Sequence, residues 1–334
     1  MVAITVPQTL AGYGLSTFEI EAGGSCIRGV SRGIFREDGS TNGGYEGPIL
    51  VLIHGYPQTY FMWRHIIKLL PKTTRLFAPD IPGYGYSSPC EFGHDKATVG
   101  KAILASLSAY LKTSQTAQPQ RVILIGHDRG ARICHQLAVD AAQHMSSFTI
   151  LGTVLMDIVP TVVQWQGMSN VAEAKGYFHW PFLANAELAT KMILQIGGDK
   201  FIRELMGRWT GSSEKARARA AADDALEMYE RPFRWDSVVR ASCQDYEAGA
   251  TVDVRMQEED QKNGRKMEMP VLVLHSAGIG RRFDMNVWKD WVADGQLLTV
   301  VGLEEGVGHF VPEEDPESCM AAMTDWMQKI GVQL

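Results

Sequence analysis

The segment Gly126-His127-Asp128-Arg129-Gly130 sets an aspartate between two glycines, directly after the apolar run Val122 to Ile125 and ahead of residues with helical spacing. Glycines two residues to either side let a chain reverse sharply and let strand and helix approach closely, so a side chain at the bend is held exposed at a helix N-terminus. A serine there would suit ester hydrolysis. A carboxylate instead can attack saturated carbon and become an ester itself, which directs the reading to alkyl halides or epoxides. The plainer alternative is a structural turn aspartate. An ester on Asp128 must be cleaved by water, and the water needs a proton acceptor, for which His309 in Gly306-Val307-Gly308-His309-Phe310 is the candidate. A lone surface histidine is the competing explanation.

An orienting acid for His309 is harder to place. Asp157 closes the run Thr153-Val154-Leu155-Met156-Asp157 at a strand end, on the same rim as Asp128. Its competitor is Asp284, the first carboxylate after Ser276, while Glu304 and Glu305 read as a solvated acidic turn. His54-Gly55-Tyr56-Pro57 fits an oxyanion loop, with the backbone N–H groups of Tyr56 and Arg129 converging on the tetrahedral intermediate of ester hydrolysis. His54 itself reads as a loop-stabilising residue. Arg129 and Arg132 stand at the start of the helix after Asp128, where free N–H groups already favour anions, and so form a candidate site for a substrate carboxylate. Pairing of Arg132 with a core or cap carboxylate is the alternative. No His, Cys and Asp cluster has metal-ligand spacing, so neither metal nor cofactor is expected.

These residues require a scaffold, and the hydrophobic pattern supplies one. Residues 15 to 23 and 26 to 35 alternate about a Gly-Gly turn, as an opening hairpin does. Residues 38 to 47 read as a Gly/Asn-rich loop. Apolar runs at Pro48 to Gly55, Thr74 to Gly85, Arg121 to Asp128 and Thr149 to Ile158 read as buried strands, separated by helical stretches around Trp63 to Leu70, through Val99, Ile103, Leu107 and Tyr110, and from Gly130. The alternation predicts a largely parallel sheet with helical crossovers. After Pro160 no strong buried strand occurs until residue 270, so residues 161 to 250 read as a helical cap between core strands. Strands at 270 to 276 and 296 to 303, a helix around Phe283 to Trp291, and a last helix through Met320, Met323, Trp326 and Met327 resume the core. Asp315-Pro316 is a helix start.

The whole chain has 334 residues, 45% hydrophobic and 21% charged, with a formal charge of -6. That composition suits a globular protein with a sizeable core and offers no global field for nucleic acid or an anionic membrane. The first residues lack a basic start and an apolar run, and no apolar stretch approaches the roughly 20 residues of a membrane helix. Five scattered cysteines, an odd number, argue for free thiols in a reducing compartment. A cytoplasmic protein that binds a small-molecule substrate, with neither nucleic acid nor membrane as partner, is the expectation.

The segments His54-Gly55-Tyr56-Pro57-Gln58, Gly126-His127-Asp128-Arg129-Gly130-Ala131-Arg132, Met156-Asp157-Ile158-Val159-Pro160-Thr161, Tyr177-Phe178-His179-Trp180, Asp245-Tyr246-Glu247-Ala248-Gly249 and Gly308-His309-Phe310 together resemble the fluoroacetate dehalogenase branch of the α/β-hydrolase superfamily. The likeness runs from about residue 15 to the end. It implies an α/β-hydrolase fold, a mostly parallel central sheet flanked by helices with an inserted helical cap. The first part of the core would be 1–160, the cap 161–250 and the second part of the core 251–334. It implies further that Asp128 displaces halide, His309 activates water, Asp157 orients the histidine, Arg129 and Arg132 hold a haloacid carboxylate, and His179, Trp180 and Tyr246 receive the halide. Members of the family are often dimers, which makes a homodimer the expected assembly.

Epoxide hydrolases lie close to this branch and also use an aspartate nucleophile. Their cap donors hydrogen-bond an epoxide oxygen, and His179 and Tyr246 would serve that chemistry equally well. Read without the resemblance, His179, Trp180 and Tyr246 could be aromatic packing. A small-molecule-binding protein that kept the pocket without turnover is a third reading, against which the set Asp128, His309 and Asp157 counts. Departures from the compact family pattern fall at residues 38 to 47, 141 to 147 and 211 to 224, and in Gly278-Ile279-Gly280-Arg281-Arg282, which adds two cations. They suggest a larger or differently shaped substrate than a two-carbon haloacid.

Overall fold

The computed structural model describes residues 5–34, 47–111 and 119–333, so the loop expected over 38 to 47 lies outside them except at Gly47. Strands β1 (Ser16–Ala22) and β2 (Ser25–Arg32) form the opening hairpin about Gly23 and Gly24, whose φ values of 59° and 76° suit residues without a Cβ. They are followed by β3 (Ile49–Ile53), β4 (Leu76–Pro79), β5 (Gln120–His127), β6 (Phe148–Met156), β7 (Val271–His275) and β8 (Leu298–Gly302). The eight strands form one sheet in the order β1-β2-β4-β3-β5-β6-β7-β8. β2 pairs antiparallel with β1 and β4, and every later pair is parallel. Continuous apolar runs belong in such a sheet because helices cover both faces, and all five residues of β3 are buried.

Helix α1 (Arg64–Leu69) follows β3, α2 (Lys96–Leu111) follows β4, and α3 (Arg129–Val139) follows β5. α2 packs on α3, which lies against β5 and β6. Between β6 and β7 the chain is helical: α4 (Thr161–Gly167), α5 (Val171–Gly176), α6 (His179–Ala184), α7 (Ala186–Ile196), α8 (Gly198–Trp209), α9 (Glu214–Ala221), α10 (Ala225–Glu230), α11 (Asp236–Ala250) and α12 (Val252–Lys262). The helical insertion thus runs on past residue 250 through α12. No helix among the described residues is long and apolar enough to cross a membrane.

The segment after β7 departs from expectation. The α-helix lies earlier, as α13 (Ala277–Arg282), and within the stretch expected to form it, Phe283 to Trp291, residues Met285–Trp291 make 3-10 turns. Ser276 explains the shift, because its hydroxyl accepts the Ile279 N–H at 3.3 Å and starts a helix within what reads as a glycine loop. After β8 come α14 (Val311–Glu314) and α15 (Pro316–Lys329), the latter with proline at its first position and the Asp315 carboxylate accepting from the Ser318 N–H at 3.4 Å. α15 packs against α1 and β7.

Candidate active site

Parallel register brings the chemistry to one edge. Ile53 pairs with Gly126, His127 with Met156, Met156 with Leu274, and His275 with Gly302. The residues just beyond those strand ends are therefore neighbours, although the sequence scatters them from Gly55 to His309. Ligands of open α/β sheets bind at this carboxyl edge.

Asp128 occupies the bend between β5 and α3 with φ 47° and ψ -115°, a backbone conformation that residues with a Cβ rarely adopt. The surrounding glycines permit it. A Cβ on Gly130 would stand 2.1 Å from the Ile53 carbonyl oxygen, one on Gly126 2.5 Å from the Ala131 nitrogen, and one on Gly55 2.6 Å from the Asp128 Cβ. The Tyr56 N–H donates to Asp128 Oδ1 at 2.8 Å, while Oδ2 stands 3.8 Å from His309 Nε2. One carboxylate oxygen is thus already in the Tyr56 N–H cradle and the other faces the histidine. Burial would raise the Asp128 pKa, but His309, Arg129 and Arg132 outweigh it and hold the group below its ordinary value, ionised.

His309 Nδ1 donates to Asp157 Oδ2 at 2.7 Å. The other Asp157 oxygen accepts the Ser276 N–H at 2.7 Å, and Asp157 is itself in the left-handed region with φ 55°. Asp284, the competing acid, is exposed and accepts from the Asn286 N–H at 2.9 Å; Glu305 pairs with Arg281. Burial works to lower the His309 pKa, but the Asp157 hydrogen bond and charge, with Asp128 and Glu314 adding to them, raise it above 6.5. Two further groups fix the His309 loop. The Glu314 carboxylate accepts the N–H groups of Gly308 at 2.6 Å and Phe310 at 3.1 Å, on either side of the histidine, and that of Gly211 at 2.9 Å from the helical insertion. His127, whose pKa falls to about 4 through burial and the neighbouring His309, is neutral and donates Nε2–H to the His309 carbonyl at 2.8 Å. His54 likewise is drawn down to about 4 by burial, and its Nε2 accepts the Ile81 N–H at 2.9 Å, a loop-holding arrangement.

The two arginines after Asp128 have different surroundings. Arg129 donates from Nε to Asp245 Oδ2 at 2.6 Å and from Nη2 to the Asp245 carbonyl at 2.7 Å. Asp245 also accepts from Lys96 and from the Tyr84 hydroxyl, so the Arg129 charge is compensated within the protein. Arg132 donates to the Val159 carbonyl at 2.9 Å and the Thr161 hydroxyl at 3.1 Å, forms no ion pair with a carboxylate among the described residues, and lies 4.6 Å over the Trp180 ring. Burial and the adjacent Arg129 lower its pKa to about 10, which leaves it cationic at neutral pH.

Arg132, unlike Arg129, lines a cavity of about 240 Å³ together with Asp128, Asp157, His309 and Tyr56. That volume suits a small molecule. His179, Trp180 and Tyr246 line it too; the His179 and Trp180 rings stand 5.9 and 5.8 Å from that of Tyr246. Burial takes the His179 pKa down to about 3, so its ring is neutral, and burial raises that of Tyr246 well above 10, so its hydroxyl keeps its proton. Both are hydrogen-bond donors. The wall also contains Gln164, Tyr177, Arg208, Trp209 and Arg282. Tyr177 and Arg282 fall within segments noted in the sequence. Gln164, Arg208 and Trp209 lie in helices where nothing local distinguishes them. The Trp209 ring lies 4.5 Å from that of His179, tilted by 51°, and the Trp209 carbonyl accepts the His309 N–H at 2.9 Å.

This sheet, with an acid, a histidine and an aspartate-bearing bend along its carboxyl edge, has the architecture of an alpha/beta hydrolase. Residues 48–178 match the family model for the alpha/beta hydrolase fold. The chain is 30% identical over 287 residues to the fluoroacetate dehalogenase of Burkholderia sp, covering 85% of this chain and 88% of that one. It is 27% identical over 275 residues to the soluble epoxide hydrolase of Corynebacterium sp. (strain C12), covering 81% and 87%. Among solved structures, an alpha/beta hydrolase from Nostoc sp PCC 7120 superposes with a TM-score of 0.75 at 30% identity over 94% of this chain and 98% of that one. The chain belongs to the alpha/beta hydrolase family and is a hydrolase.

Proposed function

We propose that the protein hydrolyses 2-haloacids to 2-hydroxy acids through a covalent ester on Asp128. The observation that carries this reading is one cavity that places the cation Arg132, the ionised Asp128 and the donors His179, Trp180 and Tyr246 around the same small volume. Arg132 holds the substrate carboxylate, and Arg129 supports it through the Trp180 ring both arginines share. Asp128 Oδ2 attacks C2, the carbon–halogen bond breaks, and the halide departs with the bonding pair toward the three donors, which meet charge as it develops. Oδ1 remains in the Tyr56 N–H cradle as the ester carbonyl.

His309 then takes a proton from water, and the resulting hydroxide adds to Asp128 Cγ. Its 3.8 Å separation from Oδ2 exceeds a hydrogen bond and leaves room for that water to intervene. The N–H groups of Tyr56 and Arg129 receive the oxyanion, and collapse releases the 2-hydroxy acid after proton return from His309. One proton passes to solvent, and Asp128 keeps an oxygen from water. Asp157 holds the histidine tautomer throughout. In this scheme residues 161–250 act as a cap that carries the halide donors over a core formed by 1–160 and 251–334.

Epoxide hydrolysis is the second reading, and the neutral His179 beside the protonated Tyr246 favours it, because two such donors can hold an epoxide oxygen. Incubation of wild type and Asp128→Asn with haloacetates and a panel of uncharged epoxides separates the readings. Halide release that Asp128→Asn lowers by roughly 10⁴-fold or more, with heavy-oxygen label from water entering the Asp128 carboxylate in a single turnover, supports the dehalogenase. Diol release without halide release would replace it with the epoxide hydrolase.

A further inference from the structure

Two guanidinium groups on the cavity wall have no part in that reaction. Arg208 stands near the end of α8 in the helical insertion, and Arg282 ends α13 beyond β7 in the core sheet's connections. Arg208 lies 5.1 Å over the Phe178 ring and Arg282 5.2 Å over the Tyr177 ring. Consecutive aromatic residues, immediately before His179 and Trp180, therefore seat one cation each, one from within the β6–β7 insertion and one from beyond β7. A guanidinium carries five N–H donors, more than the ring beneath it or one hydroxyl can occupy, and a carboxylate is the planar complement of such a fork.

Arg282 meets the Tyr177 side chain in a hydrogen bond, but the described residues give neither fork a carboxylate in hydrogen-bond reach. Among the described residues no carboxylate oxygen lies within 4.0 Å of Arg208, and Arg282 has Glu173 at 3.9 Å, beyond hydrogen-bond reach. Neighbouring arginines differ: Arg281 pairs with Glu305, and Arg203, also on α8, pairs with Glu230 at 2.5 Å. The cavity's own carboxylates are engaged, Asp128 with the Tyr56 N–H and Asp157 with His309 and the Ser276 N–H. Three cations, Arg132, Arg208 and Arg282, thus line a cavity where one carboxylate of a simple haloacid would answer only the first.

We propose that the substrate is a 2-halo dicarboxylic acid, its second carboxylate held by Arg208 and Arg282 while Arg132 holds the one beside the reacting carbon. The proposal rests on the haloacid reading and names its substrate class. With 2-chlorosuccinate, Asp128 forms the C2–oxygen bond as the C2–chlorine bond breaks, chloride takes the bonding pair, and water supplies the new hydroxyl with release of a proton. The products are 2-hydroxysuccinate and chloride.

The test compares 2-chlorosuccinate with 2-chlorobutanoate, which has the same carbon chain and one carboxylate. Chloride release should show kcat/KM for the dianion exceeding that for the monoanion by about tenfold, a modest return for two solvent-facing ion pairs. In the double variant Arg208→Gln/Arg282→Gln that ratio should fall to about one. A ratio near one in wild type, or equal loss for both substrates in the variant, overturns the proposal, since the cations would then act by general attraction. Tryptophan fluorescence with succinate and butanoate, which cannot react, reads the subsite without turnover, because Trp180 and Trp209 line the cavity. A succinate preference that the double variant loses, with no chloride release from any haloacid, upholds the two-anion site and overturns the dehalogenase reading. Turnover without any dianion preference does the reverse.

Discussion

His309 and Asp157 meet at 2.7 Å across 152 residues of chain, and the acid comes from the end of β6 while the Ser276 N–H after β7 donates to its second oxygen. The position from which a competing acid could have reached the histidine thus supplies a backbone donor to Asp157 instead. With both oxygens engaged, the carboxylate has one orientation and sets the histidine's tautomer by accepting from Nδ1, leaving Nε2 to face the cavity.

Asp157→Asn should preserve the fold and lower kcat by about 10³-fold or more, because an amide can present its N–H to Nδ1 and favour the wrong tautomer. In the proposed mechanism ester cleavage is the step this would impair, so intact mass after incubation with chloroacetate should show the enzyme carrying the added acid. Full turnover, or no adduct despite slow turnover, would count against Asp157 as the orienting acid.

The pH profile follows from His309. Its pKa lies above 6.5 in the folded protein, and only the neutral ring can accept a proton from water, so kcat should fall as pH drops through that raised value. Stability linked to this group has the opposite sign. A raised folded pKa stabilises the protein fully below 6.5 and loses that contribution as pH rises through the folded value. Rate profiles should place the acid limb above pH 6.5 in wild type and move it lower when Asp157→Asn removes the main raising influence; a limb that stays in place would refute the assignment.

Glu314 is a positioning residue, holding the N–H groups that flank His309 and one from the insertion. Glu314→Gln replaces one accepting oxygen with an amine that opposes a backbone donor. A loss of about 2 kcal/mol in denaturant unfolding is expected, with kcat reduced about tenfold and KM little changed. A rise in KM at constant kcat would instead assign Glu314 to substrate binding.

Gly130→Ala should cost about 3 kcal/mol or more and abolish activity, because the added Cβ meets the backbone oxygens of Ile53 at 2.1 Å and His54 at 2.4 Å, which cannot move without displacing β3 and the Asp128 bend. Gly207→Ala on α8 meets nothing within 4 Å and should be neutral or stabilise by up to about 1 kcal/mol. Unfolding midpoints of the pair measure the contrast.

Much of this was legible in the chain itself. The buried runs that became β3, β5, β6 and β7 are continuous because both faces of a parallel sheet are covered, and the bend at Asp128 is written in Gly126 and Gly130. Such features depend on a few adjacent residues. The helix after β7 is not legible in the same way, because Ala277-Gly278-Ile279-Gly280 has the composition of a loop and the cap by Ser276 outweighs it.

Which side chains would share a cavity was decided only by folding. Arg129 and Arg132 look equivalent in sequence, yet Asp245, 116 residues further along, engages Arg129 and leaves Arg132 on the cavity wall. Gln164, Arg208 and Trp209 reach that wall through helix packing with no local signature. Local sequence sets backbone turns and the order of strands, since these follow from neighbouring residues. Compensation of a charge depends on groups distant in sequence, and their proximity exists only once strand register and the inserted helices have brought them together.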